Sequence, residues 1–280
     1  MKLFYRKFGE GQSLQPHPSA LLEEGEGIGR EPLIILHGLF GQSDNWNTLA
    51  KQFSEQGFEV YTVDQRNHGL SPHSDVWNFK VMSEDILELI KEHQLKNVIL
   101  LGHSMGGKTA MQFAIDYPEY LNKLIVADIA PKYYPMHHQG VMAALQAVDF
   151  NVVKTRKEVE AVLSKYISDF GTKQFLLKNI FWIDDTEMAW RFNLKVIIQQ
   201  IENVGQNVEH VGEAMPVDIV CEVPTLFLRG EHSNYVLDED RDLIQELFPN
   251  SILETIEGAG HWLHAEKPKE FFESVMKFIK

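Results

Sequence analysis

The stretch that decides the fold is Gly102-His103-Ser104-Met105-Gly106. An apolar run at residues 98–101 precedes it, and a segment that predicts a helix, residues 108–117, follows it. A serine between two glycines, at the corner from a buried strand to a helix, is typical of the nucleophile elbow. Because this turn is tight, the flanking positions must be almost free of side chain. We therefore predict a strained backbone and an exposed hydroxyl at Ser104.

This turn offers both features that nucleophilic chemistry requires. The serine oxygen is accessible, and the amides that follow it, beginning with that of Met105, lie at a helix N-terminus, where negative charge is stabilised. Such amides bind the oxyanion that forms when an oxygen nucleophile attacks a carbonyl group. Ser104 is therefore the candidate nucleophile, and the Met105 amide is one candidate oxyanion donor.

Length and charge narrow the function classes. The chain has 280 residues, of which 44% are hydrophobic and 24% charged, enough for one large α/β domain with an inserted subdomain. Its formal net charge of -14 leaves no basic stripe for phosphate groups, so we expect neither nucleic acid nor an anionic membrane surface as a partner. The expected partner is a small-molecule substrate, and the sequence sets no oligomeric state.

Cysteine content and the N-terminus indicate the compartment. The single cysteine, Cys221, excludes a disulfide within the chain and argues against a Cys-based zinc site, so we expect no metal and no cofactor. Residues 1–6 lack the apolar run of a signal peptide, and no stretch is long enough for a transmembrane helix. A cytoplasmic location is therefore expected.

Strand and helix patterns alternate along most of the chain. An irregular loop is predicted at residues 9–31, between the first two predicted strands. Strands are predicted at residues 2–8, 33–36, 59–64, 98–101, 124–128, 225–230 and 251–256, and helices at 46–56, 81–93, 108–117, 239–248 and 268–279. This alternation predicts a mostly parallel sheet with helices on both faces. The alternation stops after Pro131, and the region that follows is typical of an all-helical insertion. We predict a core domain of residues 1–131 and 216–280, and a helical cap of residues 132–215.

A base for the serine is expected in the glycine-rich turn after the last predicted strand. A serine hydroxyl becomes a good nucleophile only when a base takes its proton. The glycines at 258 and 260 allow the loop around His261 to curl over the elbow. His261 is the candidate general base, whereas His264 and His103 are interpreted as structural.

The loop His37-Gly38-Leu39-Phe40-Gly41 follows an early buried strand and can supply a second oxyanion donor. Gly38 lets the backbone approach the substrate closely. We predict that the amide of Leu39 is this donor, with Phe40 as the alternative if the register differs by one residue.

Five motifs together carry a family resemblance. They are residues 37–41 (HGLFG), 64–72 (DQRNHGLSP), 102–108 (GHSMGGK), 128–131 (DIAP) and 258–262 (GAGHW). The set resembles the α/β-hydrolase superfamily and, more narrowly, a branch of small bacterial esterases and thioesterases with relatives in mitochondria. The resemblance covers most of the chain and is weakest over residues 9–31 and 140–215. It implies an α/β-hydrolase fold: a mostly parallel sheet, flanked by helices, with an inserted helical cap.

The third member of the catalytic set is a carboxylate that orients the histidine. By resemblance, its usual position after the cap falls on Ser233, which cannot stabilise a charged imidazole. Asp128 ends the strand that follows the nucleophile strand, at the ligand-binding edge of such a sheet, and the esterase branch uses an aspartate in this setting. Asp128 is the candidate acid, with Glu231 and Asp238 as alternatives.

Aromatic residues near the sheet edge and in the cap are candidates for substrate contact. Tyr133, Tyr134 and Met136 leave the sheet just after Asp128. The other candidates are Phe40, Trp182 and Trp262. The cap also carries Phe181, Met188, Trp190 and Phe192, which either line an acyl pocket or only pack the cap. Asp64 and Arg66 are interpreted as residues that tie loops together.

The sequence thus favours a serine hydrolase that cleaves carboxylic esters through an acyl-enzyme. The resemblance implies short to medium acyl chains, with thioesters of coenzyme A as further candidates. The same set of residues also serves carbon–carbon bond hydrolysis and perhydrolysis. Two alternatives come from other classes: a small-molecule receptor that uses the fold as a binding cup, and a purely structural hydrolase-like protein.

Overall fold

The protein was analysed as a computed structural model that describes residues 1–9, 30–135, 138–208 and 220–280. Met136, most of the loop predicted at 9–31 and the predicted domain boundary at 215/216 lie outside these residues. The strands are β1 (Tyr5–Phe8), β2 (Pro32–Leu36), β3 (Glu59–Val63), β4 (Val98–His103), β5 (Leu121–Ala127), β6 (Ile180–Trp182), β7 (Met188–Trp190), β8 (Thr225–Gly230) and β9 (Ser251–Ile256). The helices are α1 (Asn47–Glu55), α2 (Phe79–Glu92), α3 (Met105–Asp116), α4 (Gln139–Gln146), α5 (Arg156–Leu163), α6 (Phe170–Leu177), α7 (Leu194–Gln200), α8 (Arg241–Leu247), α9 (Leu263–Glu266) and α10 (Pro268–Ile279).

Seven strands form one sheet in the order β1-β3-β2-β4-β5-β8-β9. Every neighbouring pair is parallel except β1 and β3, which are antiparallel. The prediction of a mostly parallel sheet is therefore confirmed. The chain passes from β2 to β3 on one side and returns to β4 on the other side of β2. Loops after β2 and β4 leave in different directions, which opens a crevice at the carboxyl ends of these strands.

Both faces of the sheet are covered by helices, and the alternating side chains of β2 illustrate this. Ile34 and Leu36 join a buried cluster with α2 and α3, whereas Leu33 and Ile35 join a second cluster with α1 and α10. Successive side chains of a strand point to opposite faces, so a strand buried on both faces consists of a continuous apolar run. Each fully buried side chain of this size stabilises the fold by roughly 1.5–3 kcal/mol.

The cap contains a short strand pair, and the prediction of an all-helical insertion is wrong at this point. Strands β6 and β7 pair in antiparallel fashion between α6 and α7. Both strands are apolar and rich in aromatic residues, which suits paired strands. The turn between them is held by Asp184, whose Oδ1 accepts hydrogen bonds from the backbone N–H groups of Thr186 (2.7 Å) and Glu187 (2.9 Å). A local side-chain turn of this type can close a hairpin without any wider sheet.

The cap has a hydrophobic cluster of its own, and this cluster reaches the crevice. It contains the buried cap residues Trp190 and Phe192 together with Phe40 and Met105 of the core domain. The rings of Phe40 and Phe192 lie with their centroids 5.0 Å apart. The cap is thereby packed onto the loop after β2 and onto the start of α3.

Glycines at the turn between β4 and α3 are required by close backbone approach. A Cβ atom at Gly102 would lie 2.1 Å from the carbonyl oxygen of Gly106. A Cβ atom at Gly106 would in turn lie 2.5 Å from the carbonyl oxygen of Leu36 on β2. Neither distance is possible for real atoms, so the turn packs against its neighbours only with glycine at both positions.

This packing predicts that Gly102→Ala unfolds the turn or the whole protein. We expect a loss of several kcal/mol in the free energy of unfolding, because the backbone atoms that the methyl group meets cannot move aside as a side chain can. Denaturant unfolding measures the change. Gly140→Ala in α4 is the matched control: its Cβ would meet nothing within 4 Å, and we expect it to be neutral or stabilising by about 0.4–1 kcal/mol. Equal stability of the two variants would contradict this account.

Candidate active site

Ser104 lies between β4 and α3 in a strained conformation. Its φ is 53° and its ψ is -118°, a region that residues with a side chain rarely adopt. Such strain costs about 1–3 kcal/mol and persists only where the surrounding structure imposes it. The glycine packing of the elbow imposes it here, and the hydroxyl oxygen lies 3.1 Å from Nε2 of His261.

Asp128 is the counterpart of Ser104 on the next strand. β4 and β5 are in register at His103 and Ala127, so Ser104 and Asp128 each follow the last residue of neighbouring strands. The Ser104 N–H donates to the carbonyl oxygen of Ala127 (3.0 Å), which links the two strand ends directly. Asp128 also has a φ of 53°. Parallel strand ends therefore bring a hydroxyl and a carboxylate to one edge of the sheet.

His261 lies between these two side chains. Its Nδ1 donates to Oδ2 of Asp128 at 2.7 Å, which leaves Nε2 to accept the hydrogen bond from the Ser104 hydroxyl. The Asp128 side chain is fully buried, whereas that of His261 is 25% exposed. This is the geometric relation of nucleophile, base and acid in serine hydrolases, and it joins the three residues that the sequence predicted.

The buried Asp128 carboxylate has two further hydrogen-bond donors. The Gly230 N–H donates to Oδ1 at 3.0 Å, and the Ser233 hydroxyl donates to Oδ2. The resemblance places the usual catalytic acid at position 233. In this chain that position is a serine, and its hydroxyl binds the carboxylate of Asp128, the candidate acid. Sequence reasoning considered Ser233 only as a failed acid and overlooked it as a donor. These bonds compensate for the burial of a negative charge.

The two alternative acids have other roles. Oε2 of Glu231 accepts the Gly258 N–H at 2.7 Å, which fastens the loop that carries the histidine. Asp238 is exposed and pairs with Arg229 (2.9 Å) and Arg241 (3.2 Å), and these guanidinium groups lower the pKa of its carboxyl. Neither carboxylate is a hydrogen-bond partner of the imidazole.

Tyr235 is a site residue for which the sequence carried no signal. Its ring stacks on the imidazole of His261, with centroids 3.9 Å apart and planes 16° apart. Its backbone is fixed on both sides, because its N–H donates to Oγ of Ser233 (3.2 Å) and its carbonyl oxygen accepts the hydroxyl of Tyr134 (2.5 Å). Burial, with the nearby Asp128 charge, raises the pKa of the Tyr235 phenol to about 12. The ring therefore stays neutral and limits rotation of the imidazole.

Two histidines, the buried His103 and the half-buried His264, support the loop of His261, which agrees with the structural role interpreted from the sequence. Nε2 of His103 donates to the carbonyl oxygen of His261 at 2.8 Å. His264 stacks on Trp46 at a centroid distance of 4.2 Å. Burial is the main cause that lowers the pKa of both imidazoles, to about 3 for His264 and well below the ordinary range for His103. Both are therefore neutral near pH 7.

Leu39 and Met105, the candidate oxyanion donors, both line the space next to Ser104. Met105 is the first residue of α3, so its N–H has no acceptor within the helix. Gly38 allows the loop of Leu39 to come close, since a Cβ atom there would lie 3.2 Å from Cβ of Ser104. The two amides thus come from the two loops that border the crevice.

Phe40 is a buried anchor of the cap. Its φ is 61°, and its carbonyl oxygen accepts a hydrogen bond of 2.8 Å from Nδ2 of Asn179. The Phe40 side chain is 3% exposed and belongs to the cap cluster. Its ring therefore fixes the cap as well as bordering the cleft.

Two cavities meet at Ser104. The smaller cavity measures about 70 Å³ and is lined by Leu39, Met105, Lys108, Tyr133, Tyr134 and Tyr235, among others. The larger cavity measures about 420 Å³ and is lined by Leu39, Phe40, Phe175, Tyr235, His261 and Trp262, among others. Of the predicted substrate-contact residues, Phe40, Tyr133, Tyr134 and Trp262 therefore lie at the cleft.

Trp182 does not lie there, and this prediction needs correction. The residue belongs to β6, is 49% exposed and borders a surface groove with Phe150 and Lys154. Trp182 is the last residue of β6 and lies beside the exposed turn at residues 183–187. Ile180, on the same face of the strand, is buried, so the exposure of Trp182 comes from its place at the turn end of the hairpin. Its neighbour Phe181 contacts Arg191 instead, at 4.9 Å from the ring centroid.

Asp64 and Arg66 tie loops together, as interpreted from the sequence. The Asp64 carboxylate accepts the backbone N–H groups of Ser43 (2.5 Å) and Leu70 (2.8 Å). The Arg66 guanidinium binds both carboxylate oxygens of buried Asp85, at 2.6 and 2.8 Å. This buried bidentate pair holds the segment after β3 against α2.

Known proteins similar to this chain include one protein family and several enzymes with related sequences. Residues 31–175 match the family described as alpha/beta hydrolase fold. The chain is 36% identical to the sn-1-specific diacylglycerol lipase ABHD11 of Mus musculus, over 96% of this chain and 88% of that protein. It is 34% identical to esterase YbfF of Escherichia coli (strain K12), over 89% and 92% of the two chains.

A solved structure, described as a marine microorganism esterase, superposes with a TM-score of 0.87 at 43% identity, covering 99% of both chains. Fold and site geometry define an α/β protein with a serine, a histidine and a buried aspartate in hydrogen-bond contact. The chain belongs to the α/β-hydrolase family, on the branch that contains these esterases.

The geometry predicts that Asp128→Asn lowers kcat by roughly 10⁴-fold while the fold persists, because an amide cannot stabilise the charged imidazole. Ester hydrolysis and circular dichroism, compared with the wild type, measure activity and folding. Asp238→Asn is the matched control and should keep nearly full activity, since its partners are arginines at the surface. If Asp238→Asn were the inactive variant, Asp128 would not be the acid.

Histidines that are neutral in the folded protein predict loss of stability in acid. The folded-state pKa of His264 is about 3 against an ordinary 6.5, so below pH 6.5 the unfolded chain binds more protons and the free energy of unfolding falls. As the pH falls from 6.5 to 5, we expect the free energy of unfolding of His264→Phe to fall by about 1–2 kcal/mol less than that of the wild type. Urea unfolding at several pH values measures this. His232→Gln, at an exposed position, should follow the wild type, and an unchanged slope in His264→Phe would refute the assignment.

Proposed function

We propose that this chain is a serine hydrolase that cleaves carboxylic esters through an acyl-enzyme. The observation that carries the proposal is the unbroken hydrogen-bond line from the Ser104 hydroxyl through His261 to the buried Asp128. Nucleophile, base and acid are each within reach of the next, and the nucleophile opens onto two cavities. The names of the relatives, an esterase and a lipase, support an ester as substrate.

The first half-reaction transfers the acyl group to the enzyme. Ser104 Oγ attacks the ester carbonyl carbon while Nε2 of His261 takes the hydroxyl proton. The negative charge on the carbonyl oxygen is stabilised by the amides of Leu39 and Met105. As the tetrahedral intermediate collapses, His261 gives its proton to the leaving alcohol oxygen, and the acyl group remains on Ser104.

The second half-reaction restores the enzyme. His261 takes a proton from water, the hydroxide oxygen attacks the acyl carbon, and the proton returns to Ser104 Oγ as the carboxylic acid leaves. Throughout, Asp128 holds the imidazole by its Nδ1–H and stabilises the charge that forms on it. Gly230 and Ser233 keep the carboxylate fixed, so its geometry is set before the reaction begins.

The finer parts of the proposal concern substrate and compartment. The family resemblance supports short to medium acyl chains, and thioesters of coenzyme A are a proposed second substrate class because the same residues cleave them by the same steps. Carbon–carbon bond hydrolysis and perhydrolysis use the same residues on other substrates. Cys221 is buried and free, which supports a reducing compartment and hence the proposed cytoplasmic location.

The proposal predicts that Ser104→Ala lowers hydrolysis of p-nitrophenyl butyrate by roughly 10⁴-fold or more. A fluorophosphonate probe should label the wild type at Ser104 and leave the variant unlabelled. Ser164→Ala, which removes an exposed hydroxyl in the cap, is the matched control and should retain activity and labelling. A folded wild type that neither turns over esters nor reacts with the probe would instead indicate a receptor or a structural role.

A further inference from the structure

We infer that the two cavities divide the ester at Ser104, with a short acyl group in the smaller cavity and a large apolar alcohol in the larger one. The inference rests on the proposed ester hydrolysis and names its substrate class. It follows from which site residues face which cavity, from the two volumes and from the bonds that hold the walls.

Only one cavity is bordered by the base. Ser104, Leu39 and Tyr235 line both cavities, so the two spaces meet at the nucleophile. His261 lines the larger cavity, and Met105 lines the smaller one. The stacked ring of Tyr235 against the imidazole forms part of the division between them.

The proton transfer to the leaving alcohol indicates which cavity holds the alcohol part of the ester and which holds the acyl part. When the tetrahedral intermediate collapses, the alcohol oxygen must receive its proton from Nε2 of His261. The alcohol portion therefore extends into the cavity that His261 borders. The carbonyl oxygen points to the amides of Leu39 and Met105, so the acyl chain takes the remaining direction, into the smaller cavity beside Met105.

Volume then limits the acyl chain. An apolar cavity of roughly 150 Å³ holds one benzene ring, so on the same scale a cavity of about 70 Å³ accepts about two to four carbon atoms. The larger cavity, at about 420 Å³, accepts a ring system or a branched alcohol. Its walls include the paired aromatic rings of Phe175 and Trp262, with centroids 5.4 Å apart. An apolar alcohol suits such walls.

The smaller cavity is held at its size by hydrogen bonds between the core and the cap. Lys108 on α3 is fully buried, and its Nζ donates to the carbonyl oxygens of Lys132 and Gln206. Lys132 lies in the segment after β5, and Gln206 lies in the segment after α7. The same segments bond to each other, from the Tyr134 N–H to the Gly205 carbonyl at 2.8 Å. A longer acyl chain would have to break the hydrogen bonds of a buried amine, which is costly because its donors would then lack partners.

Two substrate series test the inference on the intact protein. In the first, p-nitrophenyl esters run from acetate to decanoate with one leaving group. In the second, acetates carry primary alcohols of rising size, from ethanol to 2-(1-naphthyl)ethanol, so that the reactivity of the leaving group stays nearly constant. We expect kcat/KM to peak at two to four acyl carbons, to fall at least 10-fold by eight carbons, and to rise with the size of the apolar alcohol.

Two variants separate the cavities. Ile201 lines only the smaller cavity and Phe175 only the larger one. We expect Ile201→Ala to move the acyl optimum to longer chains without changing the ranking of alcohols. Phe175→Ala should change the ranking of alcohols and leave the acyl optimum in place. If Ile201→Ala fails to fold, Val204→Ala on the same wall provides the same enlargement.

The outcomes distinguish this inference from the function on which it rests. A wild type that hydrolyses esters but prefers acyl chains of eight or more carbons would overturn the inference and leave ester hydrolysis intact. The same holds if Ile201→Ala alters only the alcohol ranking. Absence of hydrolysis for every ester in both series would overturn the proposed function itself.

Discussion

The hydrogen bond between the buried Asp128 carboxylate and Nδ1 of His261 is the interaction around which this structure is organised. A negative charge excluded from water is costly unless donors surround it, and here the donors come from two segments other than the one that carries the carboxylate. Gly230 ends β8 and Ser233 lies in the loop after it, His261 follows β9, and the carboxylate itself follows β5. The charge can be buried only when all three segments converge, which couples the geometry of the site to the integrity of the fold.

Strain at the strand ends depends on the same convergence. Ser104 and Asp128 are both held at a φ of 53°, one residue beyond neighbouring strands. Conformations of this kind persist because the glycine packing of the elbow and the bonds between strands outweigh their cost. The rigid sheet, buried on both faces, stabilises these two residues in the orientation that points their side chains at one imidazole. Stability of the core is thus what fixes the reactive arrangement.

The cap illustrates where prediction from sequence was weaker. Residues 180–190 were expected in an all-helical segment, and the structure forms a hairpin there because a local Asp184 turn joins two aromatic runs. Trp182 was expected at the substrate cleft and lies outside it, because it stands at the exposed turn end of a hairpin that the sequence pattern did not predict. Tyr235 carried no signal at all: stacking on an imidazole 26 positions further along the chain is a tertiary contact, and no local pattern encodes it.

The sequence by itself determined the alternation of strands and helices, the glycine elbow around Ser104, and the candidates His261 and Asp128, because periodicity, turn chemistry and order along the chain are local properties. Only the tertiary structure decided which carboxylate meets the imidazole, since Glu231 and Asp238 are also carboxylates in the expected region and are distinguished only by the partners they bind in the fold. It also decided that Ser233 serves the acid as a donor and that the cleft divides at the nucleophile. These features arise from distances between residues far apart in the chain, and such distances exist only once the sheet has brought its strand ends together.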